Sequence, residues 1–125
     1  MSKEEWILVA NESQARLFRE QDGRLVALGN FRHARGRGRS SLLSDAQLKE
    51  HLRFAQDLAE VLEGAAREDS YASVRVLAGS PFLAHLTQAL GPAAQRLLAG
   101  AHEIDLAHVG LAELQRRIRD ELAHA

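Results

Sequence analysis

The sequence predicts an α/β domain in which five strands form one mixed sheet, in the order 3-2-1-4-5, with helices on its faces. Three observations support this prediction: three short strand-like segments come first, a long amphipathic helical stretch follows, and helices separate the later strand-like segments. Because a helical crossover returns the next strand parallel to the previous one, the later strands are expected to run parallel to the first. At 125 residues, the chain 1–125 is expected to be a single domain.

The first part of the chain is expected to form an antiparallel meander. Residues Trp6–Ala10 are a short apolar run that ends at Asn11, which is typical of a buried strand followed by a turn. Residues 15–19 mix charged and apolar side chains and predict a second strand. The Asp22–Gly23 pair then predicts a tight turn before a third strand at residues 25–28.

A long helix is expected after a loop at residues 30–43. Ser44 and Gln47 have the spacing of a capping box, which predicts that the helix starts here. Apolar residues then recur at steps of three and four, which predicts a helix of about six turns. The members of this stripe are Leu48, Leu52, Ala55, Ala59, Leu62 and Ala66.

The rest of the chain predicts two more strands, each followed by a helical segment. Residues 74–78 predict a strand that runs into Gly79, and Ser80 is expected to cap a helix whose first position is Pro81. That helix is expected to break at Gly91–Pro92 and then to resume. A strand is expected at Ala101–Leu106, and the last helix has its apolar face at Leu111, Leu114, Ile118 and Leu122. This order of elements is that of the ribonuclease H-like group.

Positive charge is concentrated in one segment. The net charge is -1, but residues 23–44 contain five arginines and neither Asp nor Glu. With those five set aside, the remaining chain has 11 basic and 17 acidic residues. One basic segment therefore lies on an acidic body, and guanidinium groups interleaved with glycines are suited to binding a polyanion through its phosphates. The candidate RNA-binding residues are Arg32, His33, Arg35, Gly36, Arg37, Gly38, Arg39 and Ser40. A solvated loop with no ligand is the alternative reading of this segment.

Motifs for catalysis and for cofactors are incomplete. Glu103 and Asp105 share one face of the late strand, but two carboxylates near a sheet edge are more typical of solvated surface than of a two-metal nuclease site. His102 and His108 lack the helical spacing of a zinc site, and Gly36-x-Gly38 lacks the rest of a dinucleotide fingerprint. We therefore expect no cofactor and no metal. The chain has no cysteine, and its first apolar run is too short for a secretory or membrane-spanning segment, so a cytoplasmic location without membrane association is expected.

Several blocks of the sequence, in order, resemble the bacterial family called "protein required for attachment to host cells". These blocks are residues 6–11, Ala15–Phe18, the Gly/Arg-rich loop, Phe54–Leu62, Ala78–Leu83 and Glu103–His108. The family is similar to the middle domain of archaeo-eukaryotic peptide-chain release factors, which implies a ribonuclease H-like fold. In those factors the loop before the long helix carries Gly-Gly-Gln, and the helix contains Arg-Phe-Ala. Here Arg53-Phe54-Ala55 resembles the helical motif, whereas the loop reads Gly36-Arg37-Gly38-Arg39 and has no glutamine.

The resemblance and the basic loop together predict a non-catalytic, release-factor-like module that binds RNA or the ribosome. Its expected partners are the ribosome, tRNA or another structured RNA, and the link to host attachment is expected to be indirect. One alternative is a peptidyl-tRNA or RNA hydrolase with a substituted loop. The other is a protein-interaction module that forms homo-oligomers.

Overall fold

The structure, a computed structural model, describes residues 4–32 and 45–123 of the chain. The strands are β1 (Glu4–Ala10), β2 (Gln14–Gln21), β3 (Arg24–Arg32), β4 (Tyr71–Ala78) and β5 (Leu98–Glu103). The helices are α1 (Asp45–Arg67), α2 (Phe82–Ala89), α3 (Pro92–Leu97) and α4 (Leu111–Ala123). Across this described part of the chain, no helix is both long and apolar enough to cross a membrane.

The five strands form one mixed sheet in the order β3-β2-β1-β4-β5, which confirms the predicted fold class. The pairs β1–β2 and β2–β3 are antiparallel, and β4 is parallel to both of its neighbours. The turn between β2 and β3 is the predicted one, because Gln21 pairs with Arg24 and both Asp22 (φ 54°) and Gly23 (φ 80°) have positive φ angles. Such angles are required in the two-residue turns that join twisted strands.

Helices cover both faces of the sheet and bury a core on each. One core packs apolar residues of β1, β2 and β4 against α1, α2 and α3. The second core lies on the opposite face, where Leu114 and Ile118 of α4 pack with Ile7 and Val9 of β1. The sheet is therefore the middle layer of three.

The predicted apolar stripe of α1 is correct only for its second half. Ala55, Ala59, Leu62 and Ala66 are buried, but Leu48 and Leu52 are 39% and 42% exposed. The buried side of the helix begins at Phe54, whose ring centroid lies 5.8 Å from that of Phe82 in α2. The apolar period of the sequence therefore extends over the first turns of α1, where the helix does not pack against the core. Ser44, the first residue of the predicted capping box, lies outside the described residues.

All five strands differ in their limits from those predicted, and the differences at β3 and β5 matter most for the site. Residues 30–32 belong to β3 and not to a loop: Phe31 pairs with Ala15, and Arg32 pairs with Gln14. β5 spans Leu98–Glu103 and not Ala101–Leu106, because it follows α3 directly. Leu106 is nevertheless buried, in the segment that leads into α4.

The capping role predicted for Ser80 is wrong. Helix α2 begins at Phe82, the N-cap position is Pro81, and no side chain caps the helix. The first amide groups of the helix are satisfied by main-chain carbonyls instead: Leu83 donates to Gly79 and Ala84 donates to Pro81. A hydroxyl cap is therefore not needed there.

The N-terminus of α3 is capped by a side chain from α1. The Glu63 carboxylate accepts hydrogen bonds from the Ala94 amide (2.8 Å) and the Ala93 amide (3.3 Å). These amides, the Ala94 amide foremost, and the Arg67 guanidinium hold the pKa of Glu63 below its usual value. Gly91 leaves room for this contact, since a Cβ there would lie 2.5 Å from the Glu63 carboxyl carbon.

Candidate functional site

A groove of about 450 Å³ lies at the edge of the sheet where β3 ends and β2 begins. One wall is formed by the β2–β3 pair and the other by the segment that connects β5 to α4. The groove is lined by Gln14, Ala15, Arg16, Asn30, Phe31, Arg32, Ala107, His108, Val109 and Gly110. We call it the strand-end groove.

The pairing of β2 with β3 places four polar side chains of the groove on one face of the sheet. Gln14 pairs with Arg32, and Arg16 pairs with Asn30, with no irregularity in this part of the ladder. Residues two apart on a strand point to the same face, and paired residues share a face, so all four side chains belong to one patch. The two arginines are diagonal neighbours in it, as are the two amides. Every corner of the patch therefore offers hydrogen-bond donors.

The Arg16 side chain is held in place by two contacts. Its Nη1 donates a hydrogen bond to the carbonyl oxygen of Val109, which lies 93 positions later in the chain. Its guanidinium carbon also lies 5.3 Å from the centre of the Phe18 ring, a cation–π distance. These contacts join the two walls of the groove and leave the remaining guanidinium donors for other partners.

Positive charge in the groove is not balanced by carboxylates of the lining. Its ten lining residues include Arg16 and Arg32 and neither Asp nor Glu. Arg32 is exposed, and within residues 4–32 and 45–123 no carboxylate forms an ion pair with it. The groove is therefore a site of net positive charge on an acidic body.

Asp105 and Asn11 lie outside the groove lining and make hydrogen bonds to segments that form its walls. The Asn11 Oδ1 accepts hydrogen bonds from the amides of Ser13 (2.9 Å) and Gln14 (3.0 Å), which fixes the start of β2. The Asn11 Nδ2 lies 3.4 Å from both carboxylate oxygens of Asp105. Asp105 Oδ1 accepts from the Ala107 amide (3.2 Å) and lies 3.8 Å from His108 Nδ1. The Asp105 carboxylate thus positions the loop wall and lies outside the groove lining.

Of the eight predicted RNA-binding residues, the structure places Arg32 in the groove. The other seven lie outside the described residues: His33, Arg35, Gly36, Arg37, Gly38, Arg39 and Ser40. The sequence did not indicate Arg16 or His108 as members of this site. The signal at Arg16 is a charged residue between two apolar neighbours of the same strand, Ala15 and Leu17. Nothing local to His108 indicates that it approaches β2 and β3.

The two carboxylates considered for metal chemistry have different surroundings. Glu103 is the exposed last residue of β5, and Asp105 follows the strand and contacts Asn11 and Ala107. Among the residues with described positions, no group of three or more His, Asp or Glu side chains could hold a metal ion. The groove offers donors for an anion rather than ligands for a cation.

The fold and the groove define a class of protein: a three-layer α/β module with its positive charge at the strand ends. The profile of the family described as "Protein required for attachment to host cells" matches residues 26–118. The chain belongs to this family. No curated protein sequence matches it.

Two solved structures share the fold at low sequence identity. One, described as "Archaeal protein", is 13% identical with a TM-score of 0.56, and the match covers 97% of this chain and 38% of that one. The other is the archaeal translation termination factor aRF1, which is 15% identical with a TM-score of 0.55, and the match covers 97% of this chain and 39% of the factor. The chain therefore spans about two fifths of the length of either structure, and the likeness concerns the fold alone.

Proposed function

We propose that the chain is a non-catalytic, release-factor-like module that binds structured RNA, free or within the ribosome, through Arg32, Arg35, Arg37 and Arg39. The observation that carries the proposal is the position of Arg32: it is exposed at the end of β3, without an ion pair to a described carboxylate, in a groove that also holds Arg16. An unpaired guanidinium keeps its full capacity to bind phosphate. Host attachment, which names the family, would then follow indirectly from an effect on RNA or translation.

The fold likeness supports this proposal over a structural or adhesive role. One solved structure that shares the fold is a translation termination factor, and the match covers 97% of this chain. The segment before α1 has arginines at Arg35, Arg37 and Arg39 and lacks the Gly-Gly-Gln motif, so binding is proposed without hydrolysis. A loop of this composition recognises the phosphate backbone rather than bases, because it has no interleaved aromatic residue after Phe31.

The proposal is tested by titrating a fluorescent structured RNA, such as a tRNA or an rRNA hairpin, with the purified full chain over a series of salt concentrations. Contact with about four phosphates predicts that the logarithm of the association constant falls with the logarithm of the salt concentration with a slope of about -3.6. Changing Arg32, Arg35, Arg37 and Arg39 to Gln is expected to abolish most of this binding. Co-sedimentation with ribosomes over the same salt series tests binding to the assembled particle.

A matched control separates a specific basic loop from overall charge. Four exposed arginines to which the proposal assigns no RNA contact, when changed to Gln, lower the net charge by the same four units: Arg24, Arg96, Arg116 and Arg119. We expect this control variant to keep RNA binding. Equal losses in the two variants, or binding without salt dependence, would contradict the proposal.

The same protein preparation tests the two alternative functions. Incubation with peptidyl-tRNA and with RNA, each with and without Mg²⁺, would reveal a hydrolase by product formation. Light scattering would reveal self-association. Turnover of either substrate would replace the non-catalytic proposal with the enzyme alternative.

A further inference from the structure

We propose that the strand-end groove is a binding site for one phosphorylated nucleotide, with its phosphate held by Arg16, Arg32 and His108. This inference rests on the proposed function and deepens it, because it assigns a subsite, a ligand chemistry and two further residues to the RNA-binding surface. The nucleotide could be the 5′-terminal unit of an RNA or a free nucleoside monophosphate. Both present the same chemistry, a phosphate monoester on a ribose.

The arrangement of cations in the groove suits a phosphate monoester. Arg16 and Arg32 are diagonal neighbours on adjacent strands, which places their backbones about 7–8 Å apart. Two guanidinium groups at that separation can converge on one dianion from two sides, each through paired N–H donors. His108 lines the opposite wall and adds an imidazole donor. A monoester offers three terminal oxygens and close to two charges, whereas an internal phosphodiester offers two oxygens and one charge.

Arg16 is already fixed in the free protein. Its bond to the Val109 carbonyl and its position over the Phe18 ring restrict the guanidinium before any ligand arrives. A side chain that is fixed beforehand loses little conformational freedom on binding, so more of the interaction energy contributes to affinity. The same bond keeps the loop wall and the strand wall at a constant spacing.

The neutral part of the groove suits the nucleoside. The cavity of about 450 Å³ lies within the range of roughly 300–1,000 Å³ that is typical of small-molecule sites, and it is far larger than a phosphate alone requires. Gln14 and Asn30 occupy the other two corners of the polar patch and can both donate and accept hydrogen bonds. Ala15, Phe31 and Gly110 are further lining residues of the groove, and none of them is charged. A phosphate at the arginine corners would leave this part for ribose or base.

The test compares four probes on the full chain by calorimetry and fluorescence anisotropy: inorganic phosphate, adenosine, adenosine monophosphate, and one RNA hairpin with either a 5′-phosphate or a 5′-hydroxyl. We expect adenosine monophosphate to bind more tightly than phosphate or adenosine. We also expect the 5′-phosphorylated hairpin to bind at least several-fold more tightly than its 5′-hydroxyl counterpart. Loss of one charge-assisted contact in the Arg32→Gln variant is expected to weaken nucleotide binding roughly tenfold or more.

Arg24→Gln is the matched control, because Arg24 is exposed on the same strand at its other end and lies outside the groove. It removes the same charge and is expected to leave nucleotide binding unchanged. Arg16→Gln and His108→Ala are further tests, but the change at Arg16 also removes the bond that joins the two walls of the groove. Arg32→Gln is therefore the decisive variant, because it removes no ion pair to a described carboxylate. Equal effects of Arg24→Gln and Arg32→Gln on nucleotide binding would overturn the inference.

The outcomes separate this inference from the proposed function. If hairpin RNA binds with equal affinity with or without the 5′-phosphate, and adenosine monophosphate does not bind, the groove is not a nucleotide site while RNA binding stands. If adenosine monophosphate binds in an Arg32-dependent way but structured RNA does not, the groove is confirmed as a free-nucleotide site and the proposed function fails.

Discussion

Replacing Tyr71 by Phe should lower the free energy of unfolding by about 1 kcal/mol at neutral pH and make stability less sensitive to alkali. The Tyr71 side chain is fully buried, and its hydroxyl donates a 2.7 Å hydrogen bond to the carbonyl oxygen of Leu62 in α1. A typical buried hydrogen bond contributes about 0.5–1.5 kcal/mol net, and Phe keeps the packing of the ring against Trp6. The neutral hydroxyl is therefore part of the contact between β4 and α1.

The pH dependence of this variant follows from the pKa of the phenol. Burial, together with the negative charge of Glu63, raises the pKa of Tyr71 from 10.0 to about 12. A pKa raised by folding gives stability that is fully present below the unfolded-state value and is lost as the pH rises through the folded-state value. Each unit of difference corresponds to about 1.4 kcal/mol, so the advantage of the wild type over Tyr71→Phe should vanish near about pH 11.

Two measurements test this reasoning. Urea unfolding of both proteins between neutral pH and about pH 11.5 gives the difference in free energy, and titration of the remaining charged groups affects both proteins alike. Tyr71 is the only tyrosine in the chain, so the near-ultraviolet absorbance of tyrosinate reports its ionisation directly. A difference in stability that stays constant with pH, or a phenol that ionises at its ordinary pKa in the folded protein, would refute the argument.

Four further predictions concern the helices and the groove. Leu114→Ala should lower the free energy of unfolding by about 2–5 kcal/mol in urea, because Leu114 is completely buried between α4 and the sheet. Glu63→Gln should make the thermal midpoint less dependent on pH in the acid range. The pKa of Glu63 is lower in the folded protein than its ordinary value of 4.5, so the ionised carboxylate stabilises the fold above pH 4.5. This stabilisation is lost as the pH falls through the pKa of Glu63 in the folded protein. Gly91→Ala should lower the thermal midpoint as Glu63→Gln does, because the new Cβ displaces the Glu63 carboxylate. The double variant should then have a midpoint close to that of either single variant. Arg32→Lys should leave the salt slope of RNA binding unchanged but weaken the binding, since lysine keeps the charge and loses the planar fork; equal affinity of Lys and Arg at this position would show that charge alone matters.

The parts of the fold that were predicted correctly depend on local chemistry or on general rules of connection. Asp22–Gly23 specifies its turn by itself, and helical crossovers largely determine the order of the strands. The error in α1 occurs where a local pattern lacks a tertiary partner. Leu48 and Leu52 fit the helical period, but the buried side of α1 begins only at Phe54, so their period does not predict burial.

The candidate site could be predicted only in part for a related reason. Arg32 was recognised because the concentration of arginines around it is visible in the sequence. Arg16 enters the site through a contact with Val109, 93 positions away, and His108 enters it through the loop that Asp105 holds. Neither contact can be predicted from the residues next to Arg16 or His108 in the sequence. Sequence reasoning therefore finds the charge of a site more readily than its walls.

The extension of β3 to Arg32 changes what this arginine can contribute. In a loop, a guanidinium attracts a polyanion mainly by its charge and must become ordered when it binds. On a strand, the Arg32 backbone is paired with Gln14 and has a set distance to Arg16, whose own side chain is tied to the opposite wall. Strand pairing thus orders the Arg32 backbone before a ligand binds, so the geometry of the site can add to electrostatic attraction. This is why a terminal phosphate, which Arg16 and Arg32 can hold together, is a better match to the groove than an arbitrary segment of RNA backbone.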